Sequence, residues 1–285
     1  MSPPIWFITG CSSGFGRSLA LLALRSGHKV IATSRNPSKT PGLVSQVEKL
    51  GGVWHALDVC SPEPELAKAI EKATNVWGRI DILVNAAGYA LLGAFETISD
   101  KEARAQMETN FFGPLTLTRL VLPAMRARHS GTIVQISSTT GLEAKPSRSL
   151  YSASKFGLES FSEALYHEVK PLGIRVLLVE PGWFGTNFAH AAVRPKVQLP
   201  GEYEGSPVQQ VLDATATNDT EKGCRAVFDV VTGSGLAEGV EGLEEVIRLP
   251  LGKDCVARIR VKIEEHQNML NVTEKLWSST AVDGS

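Results

Sequence analysis

Short apolar segments rich in β-branched residues alternate along the chain with longer segments that have helical periodicity. Six of the apolar segments predict buried strands, at residues 5–9, 29–33, 53–57, 80–84, 131–136 and 174–179. A seventh, weaker strand is predicted at 246–249. Strands that are apolar on both faces are typical of a parallel sheet whose two sides are both covered by helices.

The segments between the strands predict helices at residues 16–26, 63–77, 101–128, 151–170, 220–231 and 253–277. Pro114 and Pro123 are expected to break or kink the long third helix. Right-handed crossovers wind such a series into an α/β sandwich of the Rossmann type, a doubly wound parallel sheet of about seven strands with helices on both faces. Ligands are then expected beyond the carboxyl ends of the strands.

The length and composition favour a single domain over residues 1–285, because 43% of the 285 residues are hydrophobic and 21% are charged. Residues 182–206 are rich in Gly, Pro and aromatic residues and lack a period. We therefore expect a substrate lid over about 183–218, and a C-terminal helical extension over about 253–277.

The charge pattern argues against a nucleic-acid partner, because the net charge is −1 and the basic residues are scattered. The four cysteines are far apart and form no CxxC pair, which indicates no metal site and a reducing compartment, the cytoplasm. A signal peptide is not expected from the first residues, and no apolar segment approaches membrane-spanning length. A small-molecule ligand is the remaining expectation.

A glycine-rich turn follows the first strand and opens the first helix, with the sequence TGCSSGFG from Thr9 to Gly16. Glycines allow a tight turn and a close approach of the backbone to a pyrophosphate, whose charge the helix N-terminus favours. An ordinary glycine-rich turn is the alternative interpretation. The residues predicted to bind the dinucleotide here are Gly10, Ser12, Ser13, Gly14, Phe15 and Gly16.

The second strand ends in Ser34 and Arg35, at the point where an acidic residue would bind the ribose 2′-hydroxyl of NAD. Arg35 can instead make charge-assisted hydrogen bonds to a 2′-phosphate, with Lys39 nearby. The alternative is a solvated surface arginine. The sequence therefore favours NADP(H) over NAD(H).

The fifth strand is followed by Ser138, and Tyr151 and Lys155 stand four residues apart at the start of the next helix. Residues four apart share a helix face, so the Lys155 ammonium is expected to lower the pKa of the Tyr151 phenol from about 10. Tyr151 then exchanges a proton with a substrate oxygen that Ser138 positions. An isolated YxxxK match would more simply be an exposed helix pair.

Together these motifs resemble the short-chain dehydrogenase/reductase family, in the branch with TGxxxGxG and YxxxK. The likeness extends over about residues 5–188 and is greatest to the hydroxysteroid- and retinol-dehydrogenase-like subgroup. It implies that Asn110 completes a catalytic set with Ser138, Tyr151 and Lys155, by binding a water that links the lysine to a proton relay. It also implies a bulky, lipophilic alcohol or ketone as substrate.

The resemblance implies further cofactor contacts after the later strands. Asp58 and Val59 match the family's adenine contacts, and Asn85, Ala86 and Ala87 match its NNAG segment, although Ala86 replaces the second Asn. The residues matched to the nicotinamide contacts are Pro181, Gly182, Trp183 and Thr186. Ser13 departs from the family pattern, because many NADP-preferring members carry a basic residue there.

The expected pocket is largely apolar, because aromatic and aliphatic residues follow the strands that face the nicotinamide. These are Tyr89, Leu91, Leu92, Trp183, Phe184 and Phe188. For each aromatic residue taken singly, packing in the core is an equal alternative.

The main hypothesis is an NADPH-dependent oxidoreductase that interconverts a ketone or aldehyde and an alcohol on a steroid-, retinoid- or polyketide-like molecule. Two alternatives stay open. One is a cofactor-binding protein without redox turnover, and the other is an epimerase or cyclase that uses the same site. The resemblance also implies a homodimer or homotetramer through the helices at 101–128 and 151–170, although the family includes monomers.

Overall fold

A computed structural model describes residues 2–185, 192–212 and 218–280. Its strands form one parallel sheet, in the order β3-β2-β1-β4-β5-β6-β7. The strands are β1 Ile5–Ile8, β2 Lys29–Ser34, β3 Val53–Ala56, β4 Ile82–Asn85, β5 Gly131–Ile136, β6 Ile174–Pro181 and β7 Arg248–Leu251. The order reverses between β1 and β4, so the predicted Rossmann-type fold is confirmed and a crevice opens at that point.

Helices cover both faces of the sheet. They are α1 Gly14–Arg25, α2 Pro41–Lys49, α3 Glu63–Trp77, α4 Asp100–Met107, α5 Gly113–Arg128, α6 Ser149–Val169, α7 Pro207–Leu212, α8 Thr220–Thr232 and α9 Lys253–Ser278. Trp6 and Ile8 of β1 pack with α1 and α8, whereas Ile5 and Phe7 pack with α3, α5 and α6. Successive side chains of a strand point to opposite faces, so β1 anchors both cores.

The predicted third helix is divided into α4 and α5 by a π-helical turn, Glu108–Phe112. Pro114 is the second residue of α5 and has no N–H to donate to the carbonyl of residue 110. The turn before it is therefore wider, with hydrogen bonds between residues five apart instead of four. The predicted break at Pro114 is confirmed. Pro123 lies inside α5, which continues to Arg128.

The C-terminal part of the described chain is the long helix α9, in which only Cys255 is buried. None of the helices in the described ranges is long and apolar enough to cross a bilayer. The predicted lid falls partly on 186–191 and 213–217, which lie outside the described residues, so the lid stays a prediction.

Candidate active site

The carboxyl ends of β1, β2, β4, β5 and β6 open into one cleft. Most of the residues that the sequence assigns to the site line it: Gly10, Ser12, Ser13, Gly14, Phe15, Ser34, Arg35, Val59, Ala86, Ala87, Ser138, Tyr151, Lys155, Pro181, Gly182 and Trp183. Four others do not line it, namely Gly16, Asp58, Asn85 and Asn110. Thr186 and Phe188 lie outside the described residues.

The glycine-rich turn needs its glycines for steric reasons. Gly10 has a φ of +71°, and a Cβ on it would lie 2.7 Å from the Cα of Ala87. A Cβ on Gly16 would lie 2.6 Å from the carbonyl oxygen of Gly10, so Gly16 packs beneath the turn and does not face the cleft. A side chain at Gly10 would push the turn away from the end of β4, and one at Gly16 would push α1 away from the turn.

Thr9, which is not among the residues predicted for the site, joins the turn to the loop after β4. Its Oγ1 accepts hydrogen bonds from the backbone N–H groups of Ala86 and Ala87, both at 3.0 Å. The signal was available, because a buried threonine at the end of the first strand has a hydroxyl that needs partners. Thr9 thus holds together the two segments that form the floor of the cleft.

The cleft has the properties that an anionic dinucleotide needs. The N-cap residue of α1, Ser13, makes no side-chain capping hydrogen bond, so within the described part of the chain the first N–H groups of this helix can bind a phosphate. The described residues that line the cleft include no carboxylate, whereas the cations among them are Arg35, Lys155, Arg148, Arg194 and Arg258. The residues present therefore fit NAD or NADP.

At the adenosine side, Arg35 is exposed at the end of β2, and Ser34 is buried beside it. The Ser34 hydroxyl accepts a hydrogen bond from the Trp54 indole at 3.2 Å. Lys39 is exposed and is not among the lining residues. Of the two predicted cations, Arg35 alone lines the cleft.

Two of the family-matched cofactor residues have other partners. Asp58 is exposed and accepts a hydrogen bond from the backbone N–H of Cys60 at 3.0 Å. Asn85 is buried, and its amide donates to Gln135 at 3.0 Å and to Thr118 at 3.2 Å. The Asn85 side chain therefore ties β4 to β5 and α5, away from the lining of the cleft.

Asn110 is fully buried in the π-helical turn. Its side-chain amide accepts from the N–H of Tyr89 at 3.1 Å and donates to the carbonyl of Tyr89 at 2.9 Å. It also donates to Ser154 of α6 at 3.2 Å. A Cβ built on Gly88 would lie 3.2 Å from the Asn110 Oδ1 and 3.9 Å from the Lys155 Nζ, so both side chains lie beside this loop.

Lys155 is buried on α6, and its Nζ donates to the carbonyl oxygen of Ile136, the last residue of β5, at 2.7 Å. Burial lowers the pKa of Lys155 to about 8, and the charge of Glu159 one turn later opposes that shift. The ammonium is thereby fixed at the end of the sheet.

Tyr151 is buried, and burial raises the pKa of its phenol. The hydroxyl of Ser138, the charge of Arg148 and the hydroxyl of Thr140 oppose this shift. The net direction is opposite to the lowering expected from the sequence, because removal of the phenolate from water outweighs these groups. Arg148 was missed by the sequence analysis, although it stands three residues before Tyr151, at a spacing that places it nearby.

Of the predicted apolar walls, Tyr89, Leu92, Trp183 and Phe184 line the cleft, whereas Leu91 is buried elsewhere. Ala90, Leu92 and Tyr151 pack together in a small apolar cluster. One part of the cleft is thus apolar and directly adjoins the phenol.

The family model described as short chain dehydrogenase matches residues 4–196. The chain belongs to the short-chain dehydrogenase family. A member of this family is an oxidoreductase that uses NAD or NADP, which agrees with the charge of the cleft. The resemblance seen in the sequence is therefore confirmed.

Curated relatives of this short-chain dehydrogenase include oxidoreductase claN of Passalora fulva, 46% identical over 67% of this chain and 87% of the relative. The 3-ketodihydrosphingosine reductase of Bacteroides thetaiotaomicron is 42% identical over 66% of both chains. Bovine retinol dehydrogenase 8 is 38% identical over 66% of this chain and 61% of its own length.

Among solved structures, a short-chain dehydrogenase from Streptomyces avermitilis superposes with a TM-score of 0.87 and 34% identity, over 99% of this chain and 100% of that chain. The closed form of a serine dehydrogenase complexed with NADP+ has a TM-score of 0.69 and 28% identity, over 87% and 94% of the two chains. A Burkholderia phymatum short-chain dehydrogenase/reductase in complex with NAD shares the fold at a TM-score of 0.80 and 21% identity, over 94% of this chain and 95% of that chain.

Proposed function

We propose that the protein is an NADPH-dependent oxidoreductase that interconverts a ketone or aldehyde and an alcohol on a lipophilic small molecule. The observation that carries this proposal is that Ser138, Tyr151 and Lys155 line the same cleft as the glycine-rich turn after β1. A proton-transfer group and a dinucleotide site thus adjoin one another, which is the arrangement that carbonyl reduction needs.

When bound, the nicotinamide supplies or accepts a hydride at the substrate carbon. Tyr151 donates the proton that the substrate oxygen needs, and its raised pKa keeps the phenol protonated for that step. The Ser138 hydroxyl holds the substrate oxygen. The Thr140 hydroxyl donates a hydrogen bond of 2.9 Å to the Ser138 Oγ. The Lys155 ammonium supplies positive charge at the end of β5.

We assign Asn110 as a positioning residue in this reaction. It fixes both backbone groups of Tyr89, in the loop that follows β4, and it also holds Ser154, whose hydroxyl donates to the Tyr151 carbonyl at 2.7 Å. The loop and the start of α6 therefore keep a constant separation across the cleft. The water-mediated relay that the family resemblance implies is compatible with this role.

The apolar cluster beside Tyr151 supports a lipophilic substrate, because Ala90 and Leu92 offer the substrate no hydrogen-bonding side chain. The names of two relatives refer to 3-ketodihydrosphingosine and to retinol, which both have long apolar chains. All four cysteines are free thiols, which supports the cytoplasm as the proposed compartment.

Replacement of Arg35 by leucine is expected to lower kcat/KM for NADPH by about 10- to 100-fold, because charge-assisted hydrogen bonds to the 2′-phosphate are lost. The value for NADH should change by less than about twofold, since NADH has no such phosphate. Steady-state kinetics with both cofactors measures this. The control is Arg25→Leu, at the exposed end of α1. An equal effect on both cofactors would contradict the assignment to NADP(H).

The proposed reaction is tested by following NADPH absorbance with a panel of aromatic ketones, steroids, retinoids and polyketide-like carbonyls. Oxidation of NADPH that depends on a carbonyl compound supports the proposal. Tight NADPH binding without oxidation by any compound would instead favour a binding protein. Conversion of a compound at constant NADPH would favour an epimerase or cyclase.

We also propose a homodimer or homotetramer that forms through α4, α5 and α6. Phe112 is 48% exposed at the start of α5, and Phe156 is 42% exposed on α6, so two aromatic rings face outward on these helices. The double variant Phe112→Asp/Phe156→Asp is expected to be monomeric by light scattering, whereas the wild type is not. Phe95→Asp is the control, because Phe95 is 70% exposed outside these helices. A monomeric wild type would contradict the proposal.

A further inference from the structure

Three arginines line the cleft in addition to Arg35, and they are Arg148, Arg194 and Arg258. A bound NADP has its negative charge on the pyrophosphate and the 2′-phosphate, for which the glycine-rich turn and Arg35 provide contacts. Arg148 and Arg258 are therefore in excess of what the cofactor needs. The described lining residues include no carboxylate, and Glu143, whose charge acts on both arginines, lies outside that lining.

Arg148 is the most deeply buried of the cleft arginines, with a relative exposure of 7%. Its guanidinium carbon lies 4.3 Å from the centre of the Trp183 ring, so the cation stacks on the indole. Burial lowers the pKa of Arg148 to about 10, which still leaves the group charged at neutral pH. A buried, charged guanidinium is costly unless an anion or several hydrogen bonds compensate it.

Within the described residues that compensation is incomplete. The Arg148 Nε is buried without a hydrogen-bond partner, and so is the indole Nε1 of the Trp183 on which it stacks. Two neighbouring donors, both belonging to residues that line the cleft, thus lack an acceptor. Buried donors of this kind are nearly always paired in proteins, so they point to a group that arrives with the ligand.

The backbone around Trp183 is held in place. Its N–H donates to the Asp254 carboxylate at 2.8 Å, and its carbonyl accepts from the Asn218 side chain at 2.9 Å. Asp254 lies in the first turn of α9, and Arg258 is one turn further along that helix. Arg258 also lines the cleft, and its ion pair with Glu143 is long, at 3.9 Å. The C-terminal helix therefore anchors the backbone of Trp183 and adds a second cation to the cleft.

We propose that the preferred substrate is a carbonyl compound or alcohol with an apolar body and one oxyanion, either a carboxylate or a phosphate. Arg148 binds this oxyanion with the support of Arg258. The inference rests on the proposed function and narrows its lipophilic substrate to an acidic one. A planar guanidinium matches the geometry of both oxyanions. The apolar cluster beside Tyr151 then takes the hydrocarbon part.

The test measures binding without turnover. Wild-type protein loaded with NADP+ is titrated by calorimetry with 4-acetylbenzoate and with the neutral 4-acetylbenzamide, and the pair is repeated with the larger 6-acetyl-2-naphthoate and its amide. A third arm uses 4-acetylphenyl phosphate, to distinguish phosphate from carboxylate. The acidic ketones are expected to bind at least about tenfold more tightly than the amides.

The variant Arg148→Met should remove this preference, so that acid and amide bind within about twofold, whereas Arg148→Lys should keep part of it. The control Arg126→Gln removes an exposed charge on α5 and should leave the preference for acids over amides as in the wild type. Arg258→Gln provides a second variant, with an expected loss of about threefold in the preference. If Arg148→Met does not fold, Arg148→Lys and Arg258→Gln decide the matter.

Equal binding of acids and amides by the wild type would overturn the inference, and so would a preference that persists in Arg148→Met. The outcome for the proposed function is separate. Acid-selective binding without NADPH oxidation keeps the oxyanion site at Arg148 and refutes the reductase. Oxidation of NADPH with no preference for the acids refutes the inference and keeps the reductase.

Discussion

Replacement of Tyr151 by phenylalanine is expected to lower kcat for carbonyl reduction by about 10²- to 10⁴-fold, the usual contribution of a positioned general acid. The phenyl ring keeps the packing against Ala90 and Leu92, so the fold and the cleft are preserved. The variant lacks only the hydroxyl that interacts with Ser138 and that we propose as the proton donor. The affinity for NADPH should stay within about twofold of the wild type.

Single-turnover kinetics and NADPH titration measure these two quantities separately. Tyr166→Phe is the matched control, because Tyr166 lies on the same helix and its hydroxyl contacts Glu245 at 3.3 Å, outside the cleft. It should retain wild-type activity. A Tyr151→Phe variant with nearly full activity would rule out the phenol as proton donor.

Replacement of Arg248 by methionine is expected to reduce the free energy of unfolding by about 2–3 kcal/mol at pH 8, less than for a fully buried ion pair because the Arg248 side chain is 31% exposed. Arg248 of β7 lies 3.3 Å from the carboxylates of both Glu159 and Glu180, which are 5% and 1% exposed. The Arg248 Nη2 contacts the carboxylate of the exposed Glu163 at 2.8 Å. Without the guanidinium, the buried carboxyl groups of Glu159 and Glu180 can ionise only beside each other and with no cation between them.

The destabilisation by Arg248→Met should depend on pH. Burial raises the pKa of Glu180 to about 8, with Glu159 adding to the shift and Arg248 opposing it. A carboxyl whose pKa is raised in the folded state holds its proton there, so its contribution to stability falls as the pH rises from about 4.5 towards 8. Loss of Arg248 raises this pKa further, so the variant should lose more stability at pH 8 than at pH 5.

Urea unfolding of wild type and variant at pH 5 and pH 8 measures the effect. The second substitution Glu180→Gln should restore stability to Arg248→Met, mainly at pH 8. The control Arg104→Met removes an ion pair with Asp100 whose partners are both 79% exposed, and should leave the free energy of unfolding close to that of the wild type. A loss from Arg248→Met that is equally small, or that does not change with pH, would show that the cluster is not strongly coupled to folding.

The sheet could be predicted because its central strands, such as β1 and β4, are buried on both faces, which is a local signal that the chain carries by itself. All seven predicted strands overlap the observed ones, within a few residues at their ends. Helix α2 was missed because only Val47 of its nine residues is buried, so it has hardly any apolar face. The positions of the glycine-rich turn and of Ser138 at the cleft could be predicted because these residues directly follow β1 and β5.

Other features depend on burial and on residues distant in sequence. The direction of the Tyr151 pKa shift follows from its burial, which the Tyr151–Lys155 spacing does not reveal. The pair of Glu159 and Glu180 with Arg248 joins α6, β6 and β7, so no short sequence pattern contains it. Asn85 matched the family by position, yet its side chain bonds to Gln135 of the next strand.

The most direct test of the proposed reaction is isotope transfer from NADPH deuterated at both C4 positions to a ketone that the protein accepts. The prediction is a single deuterium on the carbinol carbon of the product alcohol, formed together with NADP+, and a rate that falls in Tyr151→Phe. A product without deuterium, or NADPH that stays bound and unchanged while the compound is converted, would contradict the account.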